Sequence, residues 1–209
     1  MGSKRALAER LHGLAGFRAP QLEFEQYPTP PDLAAHLVHL ADLQGDITDR
    51  TVLDLGTGTG LLALAAACRS PNHVLGLERD PSALAVAREN ERSVDPARSV
   101  DWLLGDATRP PLCPCPDAPV TTLMNPPFGA RTGSEGADRA FLERAAELST
   151  VSYSIHNAGS QQFVEAFAAD EGGEVTHAFR AEFEVPRLYG HHDSDRTEIN
   201  VELFRIVWA

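Results

Sequence analysis

Residues 120–128 of this 209-residue chain read VTTLMNPPF: an apolar run, a carboxamide, two adjacent prolines and an aromatic ring. Proline has no N–H and a φ fixed near −65°, so Pro126 and Pro127 strip two donors from the loop and stiffen it. What the loop still offers is acceptors, the Asn125 side-chain oxygen and the Pro126 carbonyl, held at a fixed separation. That pair suits a planar N–H2 group. Such a nitrogen is a poor nucleophile because its lone pair is delocalised into the neighbouring π system. Two acceptors that each take one N–H turn the lone pair toward an electrophile, while Phe128 stacks on the flat group. The nitrogen stays neutral until attack, so no strong base is required. Asn125, Pro126, Pro127 and Phe128 are the candidate catalytic residues; the plainer alternative is a stiff turn with a core phenylalanine.

An electrophile must be held beside that clamp, and "DLGTGTG" offers a place for one. Gly56, Gly58 and Gly60 follow a strand-like run and Asp54, and glycine permits both φ > 0 and close approach of a ligand to the backbone. A dinucleotide fingerprint needs G-x-G-x-x-G, but its last position here is Leu61, so nicotinamide binding fails on spacing. G-x-G-x-G after an acid resembles the S-adenosylmethionine loop of Rossmann-like methyltransferases. About twenty residues on, Glu78 ends the next apolar run, where a carboxylate accepts from ribose hydroxyls. "GDA" ends the run after that, placing Asp106 to accept from an adenine amino group, with Ala107 beside it. The expected cofactor contacts are therefore Asp54, Gly56, Gly58, Thr59, Gly60, Leu61, Glu78, Asp106, Ala107 and Asn125.

The elements that must position these residues alternate. Strands are expected at 51–56, 73–78, 99–106, 120–125 and 150–156, and helices at 61–68, over "DPSALAVARENER", "DRAFLERAAEL" and "SQQFVEAFAADEGG". Asp80 is the expected N-cap of the second of these helices, with Pro81 in its first turn. Two final strand-like runs, "EVTHAFRAEFEV" and "TEINVELFRIVW", flank the turn-rich "PRLYGHHDSDR". The pattern predicts an α/β fold: a mainly parallel seven-stranded sheet covered on both faces, with a terminal antiparallel hairpin. No linker divides the chain. It reads as one Rossmann-like domain, with a helical extension over 1–45 and the core over 46–209.

The N-terminal "LEFEQYPTPPDLAAHL" (22–37) narrows the chemistry. It resembles the L-E-Q-Y-P-T segment of the methyltransferase-like protein 5 family, whose members methylate an adenine N6 in small-subunit ribosomal RNA. The resemblance continues through "DLGTGTG", "MNPPFG", "GADRAFL", "YSIH" and "INVELFRI", over nearly the whole chain and in family order. It implies cofactor contacts from Gln26 and Thr29, with Tyr27 packing on cofactor or substrate. Physically, Thr29 before Pro30 and Pro31 reads as the N-cap of a helix at 30–42. The NPPF motif also serves protein glutamine methylation, so a release-factor glutamine N5-methyltransferase is the alternative, and an RNA-binding scaffold a third. Departures from the family pattern include Thr57 and Thr59 in place of cysteines, and Glu78 in place of an aspartate. "YGHHDSDR" stands where some relatives are lysine-rich; His191 and His192 read as an exposed turn, and Arg131 as a phosphate contact or a solvated loop residue.

Composition limits the partners. Thirty acids against eighteen bases give a net charge of −12, and Lys4 is the single lysine. An acidic surface argues against nucleic acid, but an acidic, lysine-poor, alanine-rich chain also fits a high-salt cytoplasm. There the Debye length shrinks to about 3 Å and the charge loses its meaning. Cys68, Cys113 and Cys115 form neither a disulfide framework nor a metal set, so no metal is expected. No apolar run approaches a membrane span and the N-terminus lacks a secretory h-region, so a cytoplasmic protein is expected. The strand at 99–106 falls at a sheet edge, where Trp102 and Leu104 would need cover from local loops or from another protein's strand. The resemblance implies such a partner, a small zinc-binding activator that forms a heterodimer with the enzyme.

Overall fold

The computed structural model describes residues 2–114, 118–127, 136–186 and 196–209. Phe128, Arg131, Cys115, His191 and His192 fall outside the described residues. The chain runs α1 (Lys4–Leu11), a single 3-10 turn (Leu22–Phe24), α2 (Pro31–Leu43), β1 (Thr51–Leu55), α3 (Leu61–Ala67), β2 (His73–Glu78) and α4 (Pro81–Val94). It continues with β3 (Asp101–Leu104), β4 (Val120–Met124), α5 (Ala137–Leu148), β5 (Val151–Asn157), α6 (Gln161–Asp170), β6 (Glu174–Pro186) and β7 (Arg196–Val207).

The seven strands lie in the order β3-β2-β1-β4-β5-β7-β6. The first five are parallel and β7 joins antiparallel to both β5 and β6, as the alternating pattern predicts. Strand order reverses at β1, which has β2 on one side and β4 on the other. Loops leaving the carboxyl ends of β1 and β4 therefore diverge to opposite faces and leave a crevice between them. Leu55 pairs with Met124 in that register, so the glycine loop and Asn125 emerge side by side.

One apolar cluster packs α1, α2 and α3 against the sheet, and a second packs α5 and α6 on the opposite face. Helix α3, LLALAAA, is buried at every position, so its small side chains let it lie between the sheet and the N-terminal helices. Asp80 caps α4 as expected, its Oδ1 accepting from the Ser82 N–H at 2.8 Å.

One expected cap is absent. Helix α2 begins at Pro31 with Pro30 in the capping position and no side-chain bond to the backbone. Two prolines leave two fewer N–H groups to satisfy, so the helix start tolerates the missing cap. The Thr29 hydroxyl is committed elsewhere, to Asn125.

Candidate active site

The crevice opens into a cleft of about 920 Å³, counting the open space at its mouth. Its walls bring together Gly56, Gly58, Glu78, Asp106, Ala107 and Asn125 from the ends of four strands, with Gln26 and Tyr27 from the N-terminal loop. A smaller recess of about 340 Å³ runs beneath residues 27–29 and is lined by Asp54, Thr59, Leu61 and Asn125 among others. Each expected cofactor residue lies on one of these walls except Gly60, which forms the left-handed turn into α3 at φ +92°. A Cβ there would sit 2.8 Å from Trp102 Cη2, so Gly60 shapes the loop from beneath.

Close packing fixes the glycine loop from several sides. Gly56 (φ +70°) has no room for a side chain, since a Cβ would stand 2.9 Å from Phe141. At Gly58 the ring of Phe17 comes equally close. The Gly58 N–H donates to Glu78 Oε2 at 2.9 Å, while Glu78 Oε1 accepts from the Arg79 and Asp80 N–H groups, both at 2.9 Å. Burial raises the Glu78 pKa, against those three backbone bonds.

Asp54 is the more strained acid. Its Oδ2 accepts from the Thr57 hydroxyl and from the Ala63 N–H at 2.9 Å, but its Oδ1 is buried without a partner. Burial pushes its pKa up to about 7, and the charge of Glu78 adds to that, while the Thr57 and Ala63 bonds work against it. Two carboxylates that disfavour one another line adjoining chambers. A ligand with a cationic end relieves both. Asp106 has the opposite tendency: burial opposes ionisation, but bonds from the Thr108 N–H (2.9 Å) and hydroxyl (2.8 Å), with the charges of Arg79 and Arg109, hold its pKa low.

At the clamp, Asn125 Nδ2 donates to Thr29 Oγ1 at 3.0 Å, and Asn125 Oδ1 is buried with no partner. A buried acceptor left unmade costs about 1–3 kcal/mol, so the orientation of this amide leaves an oxygen available to a ligand N–H. Pro127 lines the cleft next to it. Gln26 lines the cleft with its amide already bonded within the protein. Its Oε1 accepts from the Gln21 N–H and its Nε2 donates to Asp80 Oδ2, both at 2.8 Å, so its polar atoms hold the loop in shape. Tyr27 stands 46% exposed at the mouth.

Cleft residues that the sequence gave no reason to single out are Phe17, Phe141 and the pair Phe24–Arg79, whose guanidinium lies 4.3 Å from the ring centre. Phe141 sits on the apolar stripe of α5 and reads as core. Phe17 is a lone aromatic among glycine, alanine and proline, with no periodicity to mark it. At the edge strand, the Trp102 indole turns inward and donates to Glu91 Oε2 of α4 at 2.7 Å, whereas Leu104 is 56% exposed.

The residues fit S-adenosylmethionine: two unpaired buried acceptors, a glycine loop whose Gly56 and Gly58 line the cleft, and a carboxylate at the end of each of β1 and β2. Among the described residues no group of histidine, cysteine and acids could hold a metal ion, and no helix is long and apolar enough to cross a membrane.

The methyltransferase small domain matches residues 31–152. An uncharacterized protein of Methanocaldococcus jannaschii is 32% identical over 219 residues, spanning 99% of this chain and 94% of that one. The rRNA N(6)-adenosine-methyltransferase Mettl5 of Drosophila melanogaster is 31% identical over 203 residues, 96% of this chain and 94% of that protein. The crystal structure of PH1948 from Pyrococcus horikoshii superposes with a TM-score of 0.86 at 34% identity, covering 100% of this chain and 99% of that one.

Proposed function

Because the chain belongs to the methyltransferase small domain family, we propose that it methylates the N6 of an adenine in small-subunit ribosomal RNA, with S-adenosylmethionine as donor. The observation that carries this reading is the unpaired, buried Asn125 Oδ1 in a residue that lines the same cleft as Gly58, Glu78 and Asp106.

When bound, S-adenosylmethionine supplies a methyl group made electrophilic by a sulfonium sulfur. The protein's own residues do the rest. Asn125 Oδ1 accepts one N–H of the adenine amino group and the Pro126 carbonyl accepts the other, which turns the nitrogen lone pair out of the purine plane. Thr29 keeps the amide from rotating, and Pro126 and Pro127 keep the two acceptors at their separation. Tyr27 at the mouth offers a flat surface for the base. The nitrogen proton leaves to water after transfer. Glu78 would receive the ribose hydroxyls of the bound cofactor, Asp106 its adenine amino group, and Asp54 with the 56–61 loop its cationic end. The target adenine must be unpaired or flipped to reach so deep a clamp.

We further assign the β3 edge to the small zinc-binding activator. Among the described residues, 101–104 have a neighbouring strand on one side only, and exposed Leu104 lies on that rim. With its indole committed to Glu91, Trp102 contributes backbone to such a contact, and Leu104 contributes the side chain.

Methyl transfer from labelled S-adenosylmethionine to purified small-subunit rRNA, with a release factor offered in parallel, tests the assignment. Label in rRNA at adenine N6, lost in N125A, supports it. Label in a glutamine of the release factor alone overturns it in favour of protein methylation by the same clamp. An RNA scaffold remains the correct description if N125A abolishes methylation without changing the cellular role.

A further inference from the structure

Asn90 lies in α4, buried, and no expected site residue required it. Its amide is used almost entirely on backbone. Oδ1 accepts from the Ala15 N–H at 2.8 Å, while Nδ2 donates to the Ala15 carbonyl and to the Thr59 carbonyl, each at 2.9 Å. Both polar groups of Ala15 are thus gripped by one side chain, as a strand partner would grip them. The third bond holds the glycine loop. One amide therefore joins two segments that have no sequence proximity: the strap between α1 and the 22–29 loop, and the turn that opens α3.

The strap has more stitches along the same helix. Arg18 pairs with Glu89 at 2.5 Å, Gln21 Nε2 donates to Asp80 Oδ2 at 3.2 Å, and the Gln21 N–H donates to Gln26. Between these fixed points sits Phe17, two residues past Ala15. Its ring lies against Gly58, so close that a Cβ there would be 2.9 Å from Phe17 Cζ, and it borders both the cleft and the recess. Gly58 is the residue whose N–H is fixed on Glu78.

We propose that Phe17 is a cofactor-binding residue and Asn90 its positioning residue, so that the 13–21 strap forms one wall of the S-adenosylmethionine site. The proposal rests on the methyl-donor reading above. The physical reason is twofold. An aromatic ring over the glycine loop keeps water from Asp54 and Glu78, which strengthens their attraction for a cationic ligand. Its face also suits either of the ligand's two complementary parts, the sulfonium charge or the flat adenine. Asn90 fixes where that ring stands relative to the loop, because Ala15 and Thr59 hang from the same amide.

The test is calorimetric titration of S-adenosylmethionine into the full-length wild type and into F17A, F17L and N90A, with hydrogen exchange of residues 13–20 followed with and without ligand. F17A is expected to lose affinity by about tenfold, with F17L in between and the unliganded melting temperature of both close to wild type. N90A is expected to lose affinity by at least as much, and to lose the ligand-induced protection of residues 13–20 that the wild type shows. A merely structural Asn90 would lower the melting temperature but leave affinity unchanged well below it. Should N90A fail to fold, F17A still decides the matter, since its ring is only partly buried. Wild-type affinity in F17A overturns the proposal, as does an unchanged affinity accompanied by a raised KM for RNA, which would move the ring to the substrate. A wild type that binds no S-adenosylmethionine overturns this proposal and the methyl-donor reading together; binding by the wild type with equal binding by F17A overturns this one alone.

Discussion

Asn125 and Thr29, 96 residues apart, are joined by a 3.0 Å hydrogen bond from the carboxamide NH2 to the threonine hydroxyl. The bond ties the carboxamide at the end of β4 to the N-terminal loop. With the NH2 spent on Thr29, the oxygen is left buried and unpaired. Two sequence motifs that look independent, EQYPT and NPPF, are thus one structural unit.

Replacing Thr29 by valine keeps the shape and removes the acceptor. The amide then has no partner to hold its rotamer, and the oxygen is presented only part of the time. Methyl transfer by T29V is expected to fall about tenfold in kcat, with a stability loss of about 1 kcal/mol. Single-turnover rates with labelled donor check it; an unchanged rate would mean that Thr29 plays no part in orienting the clamp.

Gly60 is expected to resist even alanine. It adopts φ +92°, and a Cβ would meet Trp102 at 2.8 Å and the Ala87 methyl at 3.1 Å. Left-handed backbone and overpacking together predict a loss of about 2–5 kcal/mol for G60A, read as a lowered urea midpoint.

His156 carries the clearest pH signature. It is buried at the end of β5 with its ring edge on Phe204 (centroids 5.7 Å apart) and with Nε2 unpaired. Burial pushes its pKa down to about 4, against the charge of Glu202. The unfolded chain takes the proton near pH 6.5 and the folded chain only near 4, so acid favours unfolding between those values. The His156 contribution to stability is expected to fall by on the order of 3 kcal/mol as pH drops through that window. The raised pKa of Asp54 works in the opposite sense, so the effect is read as the difference between wild type and a variant without the imidazole. Urea midpoints of wild type and H156L from pH 4 to 7 should diverge on the acid side only; parallel curves would exclude His156 as the source.

Leu104 tests the edge-strand assignment. Because its side chain is 56% exposed and packs on neither core, L104E should leave the urea midpoint of the isolated chain within about 0.5 kcal/mol of wild type. The same change places a charge in an apolar interface, so co-purification of the zinc-binding activator should fail. A complex that survives L104E would place the activator on another surface.

Local chemistry alone made much of this protein legible. Glycines at alternate positions after a strand, two prolines in a row, and apolar periods that switch between alternation and helical spacing are all constraints that act within a few residues. They specified the parallel sheet, and they marked the glycine loop, the acids at strand ends and Asn125, which the fold brings to one cleft. What they could not specify is which distant segment takes up a given polar group. Thr29 read as a helix cap because its neighbours favour one, yet its hydroxyl goes to Asn125. Asn90 carries no local mark in its helix, yet it is buried and binds two loops. Trp102 and Leu104, two residues apart on β3, project from the same face because side chains alternate along a strand. Only the packing of α4 decides that the first is covered and the second is not, since burial depends on what lies across the gap, and no local pattern encodes that.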